Sequence, residues 1–217
     1  MATARAQARD RTKTAILAAA REEVAEKGGI GLSMRAIARK VGLVSSAVYR
    51  HFPTRDALLT AMILESYQHL DDALGEGEHT TSAAEWRHLA ARFRAWARES
   101  PAEFQLIYGT PICGYAAPTE TIPAAAAVAR HFLDTGGRQP VSGFGSRSLI
   151  DQLQPVLAHI PAADPSAFAA VLADLAALVG FVSLELAGHF VGTADPADHL
   201  YVAMVERQVD TLNLADR

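Results

Sequence analysis

Ser33-Met-Arg-Ala-Ile-Ala-Arg-Lys-Val-Gly-Leu-Val-Ser-Ser-Ala-Val-Tyr-Arg-His-Phe-Pro-Thr-Arg-Asp-Ala-Leu-Leu59 reads as two short helices joined by a glycine turn. Ser33 is placed to cap the first helix by accepting a backbone N–H. Met34, Ile37, Ala38 and Val41 follow at i, i+3, i+4 and i+7, which is one helical face. Small Ala38 permits close approach where the two helices cross. Gly42 comes directly after the periodic run and suits the left-handed conformation of a sharp turn. Ser45 or Ser46 starts the second helix, with Val48 and Phe52 pointing inward and Ser46, Ala47 and Arg50 on the opposite face. Small side chains at its start let the backbone approach base edges, and Arg50 has the reach for guanine or phosphate. Pro53 stops this helix. Thr54 caps the next, which puts Arg55 near a helix N-terminus, where backbone amides attract phosphate. An ordinary helical hairpin with a basic solvated face is the plainer reading. Tyr49-Arg50-His51-Phe52 packs donors and aromatics into one turn and favours a DNA-reading helix-turn-helix.

Residues from about 10 to 60 resemble the DNA-binding domain of the TetR (tetracycline-repressor) family of transcription regulators. The match rests on the three-helix layout, Ile37-Ala38, Val41-Gly42, Tyr49-Arg50-His51-Phe52 and the Arg55-x-x-Leu58-Leu59 start of a fourth helix. The resemblance implies that Arg35, Ser45, Ser46, Ala47, Tyr49, His51 and Arg55 stand at positions that touch DNA. Two departures matter. Val44 stands where the family often has a serine N-cap, so Ser45 is expected to take over the cap. Arg55 stands where the family usually has lysine, which keeps the charge.

Charge divides the chain in the same place. Through residue 60, eleven Lys and Arg stand against five Asp and Glu, a net of +6. Beyond it nine stand against nineteen, a net of −10, so the total of −4 hides a basic head on an acidic body. All three lysines (Lys13, Lys27, Lys40) lie in the head. Arg5, Arg9 and Arg11 form a basic N-terminal arm suited to phosphates or the minor groove, with a solubilising tail as the plainer alternative. Seventeen arginines against three lysines, with abundant alanine, point to a bacterium of high GC content.

A chain of 217 residues with 50% hydrophobic content fits one or two folded domains. The single cysteine, Cys113, excludes an intrachain disulfide and a cysteine-rich zinc site. No apolar segment of signal-peptide type opens the chain. Leu175–Leu184 is too short to span a bilayer, and extending it brings in Asp174 and Glu185, each costing about 2.5–3.5 kcal/mol at mid-membrane. A soluble cytoplasmic protein without a membrane partner is expected.

Beyond the head the signals are helical throughout, so the fold class is all-α. The first helix is expected over about residues 10 to 27, packing Ile16, Leu17, Ala20 and Val24 and ending at Gly28-Gly29. A fourth runs from about Thr54 to Leu74 and is broken by Gly75-Glu-Gly77. Ser82-x-x-Glu85 forms a capping box for a helix holding Trp86, Phe93 and Trp96. Ser100-Pro101 starts another. Thr121 to Asp134 and a segment ending near Ala158 read as two more. Asp164-Pro165 and Asp195-Pro196 open the last two, long helices. The predicted division is 1–56, a three-helix DNA-binding domain with its basic arm, and 57–217, a helical effector-binding and dimerisation domain.

The helix from Asp164 is apolar almost all round, so it is buried on more than one face. From Phe168 onward, Val171, Leu172, Leu175, Val179, Val182 and Leu186 form one stripe, and Ala170, Ala173, Ala177 and Gly180 add small residues that permit close helix contact. The final helix adds Leu200, Ala203, Met204, Val209 and Leu212. The resemblance implies that these last two helices pair with a second copy as a four-helix interface; a wholly intramolecular core is the alternative. One short reading helix contacts few bases, which also favours a dimer on a palindromic double-stranded DNA operator.

Trp86, Phe93, Trp96, Phe104, Tyr108, Ile112 and Tyr115 are candidates to line a cavity for a small apolar or aromatic effector of unknown identity, against plain core packing. Tyr108-Gly-Thr-Pro-Ile-Cys-Gly-Tyr115 resembles a segment that shapes the ligand-binding body in some members of the family. Cys113 with a histidine is imaginable as an enzyme's nucleophile pair. No nucleophile elbow, phosphate loop or metal-helix motif accompanies it, and His69, His79 and His88 read as solvated rather than metal-binding. No cofactor is expected. The combined expectation is a homodimeric, ligand-responsive DNA-binding regulator, most simply a repressor. A ligand-independent architectural DNA binder and, behind it, a helical enzyme are the rivals.

Overall fold

Apolar residues recur at helical spacing along the chain, and among the described residues every regular element is helical. The computed structural model describes residues 2–75, 81–158 and 163–216, with side chains from residue 6 onward. Gly77 and His79 lie outside the described residues, as does the side chain of Arg5. The helices are α1 (Ala2–Lys27), α2 (Met34–Lys40), α3 (Ser45–His51), α4 (Arg55–Leu74), α5 (Ser82–Glu99), α6 (Pro101–Tyr108), α7 (Ile122–Gly136), α8 (Arg147–Leu157), α9 (Pro165–Leu186) and α10 (Asp198–Thr211). Short 3-10 turns occupy Gly29–Gly31 and Thr119–Thr121.

Local chemistry explains most of the boundaries. Ser33 Oγ accepts the Ala36 N–H at 3.4 Å, and Thr54 Oγ1 accepts that of Ala57 at 3.0 Å. The Asp164 carboxylate takes the N–H groups of Ser166 and Ala167, and these bonds with the Ser166 hydroxyl hold its pKa below the usual carboxylate range. Gly42 has φ +68°, the left-handed turn between α2 and α3.

Four expectations are corrected. The N-terminal arm is part of α1, because alanines alternating with Arg and Gln are strong helix formers. Ser45 does not cap α3: the N-cap position is Val44, which has no side-chain bond to offer. The cap of α5 is Thr81, whose Oγ1 accepts the Ala84 N–H at 3.2 Å, and Ser82 instead receives the Ala215 N–H at 3.0 Å. Asp195-Pro196, a cis peptide, lies in the turn before α10, which starts at Asp198.

The chain forms two units. The first takes in the chain up to Gln68 together with Ser100–Ala124. Its core joins Ile16, Ala20, Ile37, Val48, Phe52 and Leu58, with Leu106, Ile112 and Tyr115 packed against it. That packing is why the unit departs from a boundary at residue 56: Leu58, Leu59 and Met62 of α4 are buried in the same core.

The second unit holds His69–Glu99 and the chain from Ala125. Trp86 and Phe93 meet Phe132 edge-on, at centroid distances of 5.4 and 6.5 Å. Each is fully buried, contributing about 1.5–3 kcal/mol. Gly136 is needed here, since a Cβ would lie 2.9 Å from Val171 and 3.1 Å from Trp86. By length and composition alone α9 is sufficient to cross a membrane, contrary to the expectation from Leu175–Leu184. In the fold it buries Ala167, Phe168, Ala170, Val171, Leu178 and Val182 within the unit.

One polar chain threads this core. Trp86 Nε1 donates to Gln208 Oε1 at 3.1 Å, and Gln208 Nε2 donates to the Asp174 backbone carbonyl at 3.0 Å. Asp174 Oδ2 is buried without a hydrogen-bond partner among the described residues. Burial pushes this carboxyl up to about 6, against the pull of Arg207 and a Gln208 hydrogen bond. The folded state thus holds the proton more tightly than the unfolded chain does. Asp174 therefore weakens the fold above pH 6, and the penalty fades as pH falls through 6 and is gone only below the ordinary value of 3.8. Asp174→Asn is expected to stabilise by about 1 kcal/mol at pH 7.5, a figure reduced for the residue's partial exposure, with the gain cut to about a third of that near pH 4.5. Urea unfolding at the two pH values checks this; an equal gain at both contradicts it.

Candidate nucleic-acid interface

The reading face starts from the inward residues that orient it. Val48 is 0% and Phe52 3% exposed, which fixes the rotation of α3 against Ile37 and Ala38. Arg35 on α2, and Ser46, Tyr49 and Arg50 on α3, consequently face solvent. Ser45 and His51 are half-buried at the margins. Ala47 falls on the inward side at 8% exposure, so it supports the helix rather than offering a surface. Val44 was not anticipated: it stands at the head of α3 with 70% exposure. Its only sequence signal was a valine at a position where a capping side chain is usual. An exposed apolar group beside donors has the chemistry to meet a thymine methyl.

Arg55 is engaged within the head. Its Nη2 donates to the Gly29 carbonyl at 2.6 Å and the Ile30 carbonyl at 3.3 Å, closing the turn after α1 onto the start of α4. Lys40 is also held, by Glu22 at 3.3 Å and Glu26 at 3.1 Å, and these carboxylates raise its pKa. Arg9, Arg11 and Lys13 lie exposed on α1.

The aromatic candidates divide between the units. Trp86, Phe93 and Trp96 are packed in the second unit's core, and Phe104 is fully buried in the first. Tyr108, Ile112 and Tyr115 are half-buried in the first unit. Ile112 and Tyr115 line a cavity of about 260 Å³ with Ile63, Tyr67, Ile107 and Thr121, and none of the lining side chains is charged. The Tyr115 hydroxyl shares a 3.0 Å hydrogen bond with Thr60 Oγ1. Burial raises the pKa of Tyr67, which meets Tyr108 edge-on at 6.4 Å. Ile63 and Tyr67 escaped the sequence reading because they look like ordinary core positions of a long helix. Among the described residues no group of acidic, histidine or cysteine side chains is arranged to hold a metal. His69 and His88 are half-buried.

On α9 and α10 the structure separates two apolar faces. Phe168, Val171, Val182 and Val209 are buried in their own unit, and Leu175, Val179, Leu186 and Met204 are half-buried. The outward apolar face keeps Leu172, Ala173 and Gly180 of the expected set and adds Ala176 and Leu184 on α9, with Leu200, Val202 and Ala203 on α10.

Comparison with known proteins bears on this arrangement. Residues 16–62 match the family described as "Bacterial regulatory proteins, tetR family", and residues 86–212 match "Tetracyclin repressor-like, C-terminal domain". The HTH-type transcriptional regulator Rv1816 of Mycobacterium tuberculosis is 38% identical over 135 residues, 60% of this chain and 58% of that protein. The matched stretch thus spans little more than half the length of this relative. The crystal structure of the regulatory protein SCO4313 superposes with a TM-score of 0.80 at 30% identity, covering 94% of this chain and 98% of that one. A tetracycline-repressor variant from Acinetobacter baumannii, solved with minocycline, shares the fold at a TM-score of 0.55 and 18% identity, with 90% and 92% of the two chains covered.

Proposed function

This chain belongs to the TetR family of DNA-binding transcription regulators, which are not enzymes, and we propose that it is a homodimeric repressor released from a palindromic operator by a small, uncharged, apolar or aromatic ligand. The observation that carries the DNA half is the solvent-facing set Arg35, Val44, Ser46, Tyr49 and Arg50, held out by the buried Val48 and Phe52. Arg50 reads a base edge, Val44 meets a thymine methyl, and Arg9, Arg11 and Lys13 contact phosphate. It works in the cytoplasm, where the operator is.

The apolar stripe on α9 supports the dimer. Leu172, Ala176, Gly180 and Leu184 recur every fourth residue with two small side chains at the centre, which favours close helix approach. The uncharged cavity beside Tyr67 and Tyr115 supports a neutral effector, since a charged one would enter without a counter-charge. The minocycline held by a relative of the same fold offers a precedent for a ligand but does not name this one.

Selection of duplexes from a random library, followed by a salt series, tests the reading. An enriched palindrome is expected, its affinity falling about a thousandfold or more between about 50 and 200 mM salt if six or more phosphates are contacted. Gly180→Arg puts a charge in the centre of the stripe. It is expected to give a monomer in sedimentation and to lose the palindrome while keeping its helical signal. Enrichment of a single, non-repeated site by a monomeric wild type overturns the dimer. Binding without sequence preference favours an architectural binder.

A further inference from the structure

The loop after α6 borders two spaces, both lined by its Thr110 and Ile112 and by Leu106 of α6; of these, Ile112 is the one that meets Gly29 most closely. Ile112 lines the inner cavity beside Tyr67 and Tyr115, and it also lines an outer groove of about 470 Å³ between the end of α1 and α6. The loop is tethered on both sides of this residue. The Tyr115 N–H donates to the Ile112 carbonyl at 3.0 Å, and the Tyr115 hydroxyl is bonded to Thr60 on α4. Ile112 itself rests on Gly29, where a Cβ would fall 2.5 Å from its Cδ1 and 3.0 Å from its Cγ1. A Cβ on Gly29 would therefore displace the flexible end of Ile112. The Gly29 backbone does not itself demand glycine, because the left-handed residue of this pair is Gly28, at φ +70°.

Gly29 stands at a junction. Its carbonyl receives the guanidinium of Arg55 at 2.6 Å, at the first residue of α4. Three residues on, Leu32 is buried in the head core, and Ser33 caps α2, the first helix of the reading pair. A displacement of Gly29 therefore reaches the α4 start through Arg55 and the reading face through α2.

We propose that Ile112 is the residue that couples the inner cavity to the DNA-reading face: a molecule filling the cavity drives Ile112 onto Gly29, and the shifted turn lowers operator affinity. The proposal rests on the regulator reading above and assigns it a route within the first unit. The groove on the far side of Ile112 is the space into which the side chain and turn move. Interdigitated contacts of this kind switch between discrete arrangements rather than deforming smoothly.

A double-substitution cycle tests this without knowing the ligand. Gly29→Ala forces the same contact from the opposite side and is expected to weaken operator binding about tenfold, within the usual range of coupling between sites. Ile112→Ala removes the obstructing atoms and is the reference for the double variant. The double variant is expected to bind within about threefold of Ile112→Ala alone, a strongly non-additive result. Thermal melts of the four proteins without DNA read the contact itself: Gly29→Ala lowers Tm and Ile112→Ala relieves most of that loss. Restored Tm without restored DNA affinity means the contact carries no signal, and the proposal falls. Equal weakening by Gly29→Ala with or without Ile112 also overturns it. A wild type that selects no duplex is a failure of the DNA reading, not of this contact, which the melts still decide.

Discussion

Alanine at position 50 is expected to cost about 1–3 kcal/mol of operator affinity per half-site and to flatten preference at one base pair in each half. Tm should stay unchanged, because Arg50 stands in solvent on a helix whose fixing contacts are Val48 and Phe52 on the other side. Arg55→Ala separates from it on every readout. That guanidinium closes the Gly29 and Ile30 carbonyls onto α4, so its loss leaves two acceptors without their charged donor, at about 1.5–3 kcal/mol of stability. Operator affinity should fall for all sequences alike, through a loosened head, with an unchanged salt slope. Binding to selected and scrambled duplexes across a salt series, with melts, distinguishes the two. If Arg55→Ala instead leaves Tm intact and lowers the salt slope by about one, Arg55 is a phosphate ligand and the clamp is incidental. A uniform loss for Arg50→Ala likewise makes that residue a backbone contact rather than a base reader.

The contrast shows what the sequence made legible. Helix starts that depend on one side chain and its own backbone were readable: Ser33, Thr54, Asp164 and the Gly42 turn all act within four residues. Caps with competing candidates were not. Thr81 and Ser82 are adjacent hydroxyls, and the choice between them depends on Ala215, far along the chain. Solvent exposure was legible where it follows from helical phase, as for Arg50, Tyr49 and Ser46. It was not legible for Ala47, where phase leaves two faces open, and the carbonyl acceptors of Arg55 lie too far along the chain for local phase to show them.

The apolar helix α9 posed a harder problem. When most positions are apolar, periodicity cannot say which stripe meets the protein's own core and which meets another surface. Burial of Phe168, Val171 and Val182 by their own unit resolves this and moves the proposed interface to the Leu172–Ala176–Gly180–Leu184 face. The aromatic residues were ambiguous for a related reason. Trp86 and Phe93 are large enough for core or cavity, and only the tertiary fold places them in the core of one unit while Ile112 and Tyr115 line a space in the other.

Arg94 escaped the sequence reading altogether, and removing it is expected to have the largest effect on the stability of the second unit. In α5 it reads as one of several arginines on an amphipathic helix. In the fold its side chain is 11% exposed, and its Nε and Nη2 fork onto the Glu185 carboxylate at 2.8 and 2.5 Å. Nη1 reaches Asp198 at 2.7 Å, and the guanidinium lies 4.9 Å from the centre of the Tyr201 ring. One side chain thus ties α5 to the end of α9 and the start of α10. The partners are unequal. Asp198 is 54% exposed and rehydrates if released, whereas Glu185 is 16% exposed and would be left with a charge that water reaches poorly. Arg94→Ala is therefore expected to lose about 3 kcal/mol, at the lower end for breaking a buried pair because Asp198 recovers its hydration. Arg94→Lys should rescue little, since an ammonium cannot reproduce the fork and the bond to Asp198 together. Replacing both Arg94 and Glu185 with methionine should restore most of the loss, because no charge is then stranded. Urea unfolding of the four proteins measures all of this, and an unchanged midpoint for Arg94→Ala would show that the pair contributes no net stability. The same tie holds the segments bearing Leu184 and Leu200, so Arg94→Ala should also weaken self-association, which sedimentation at several protein concentrations would reveal.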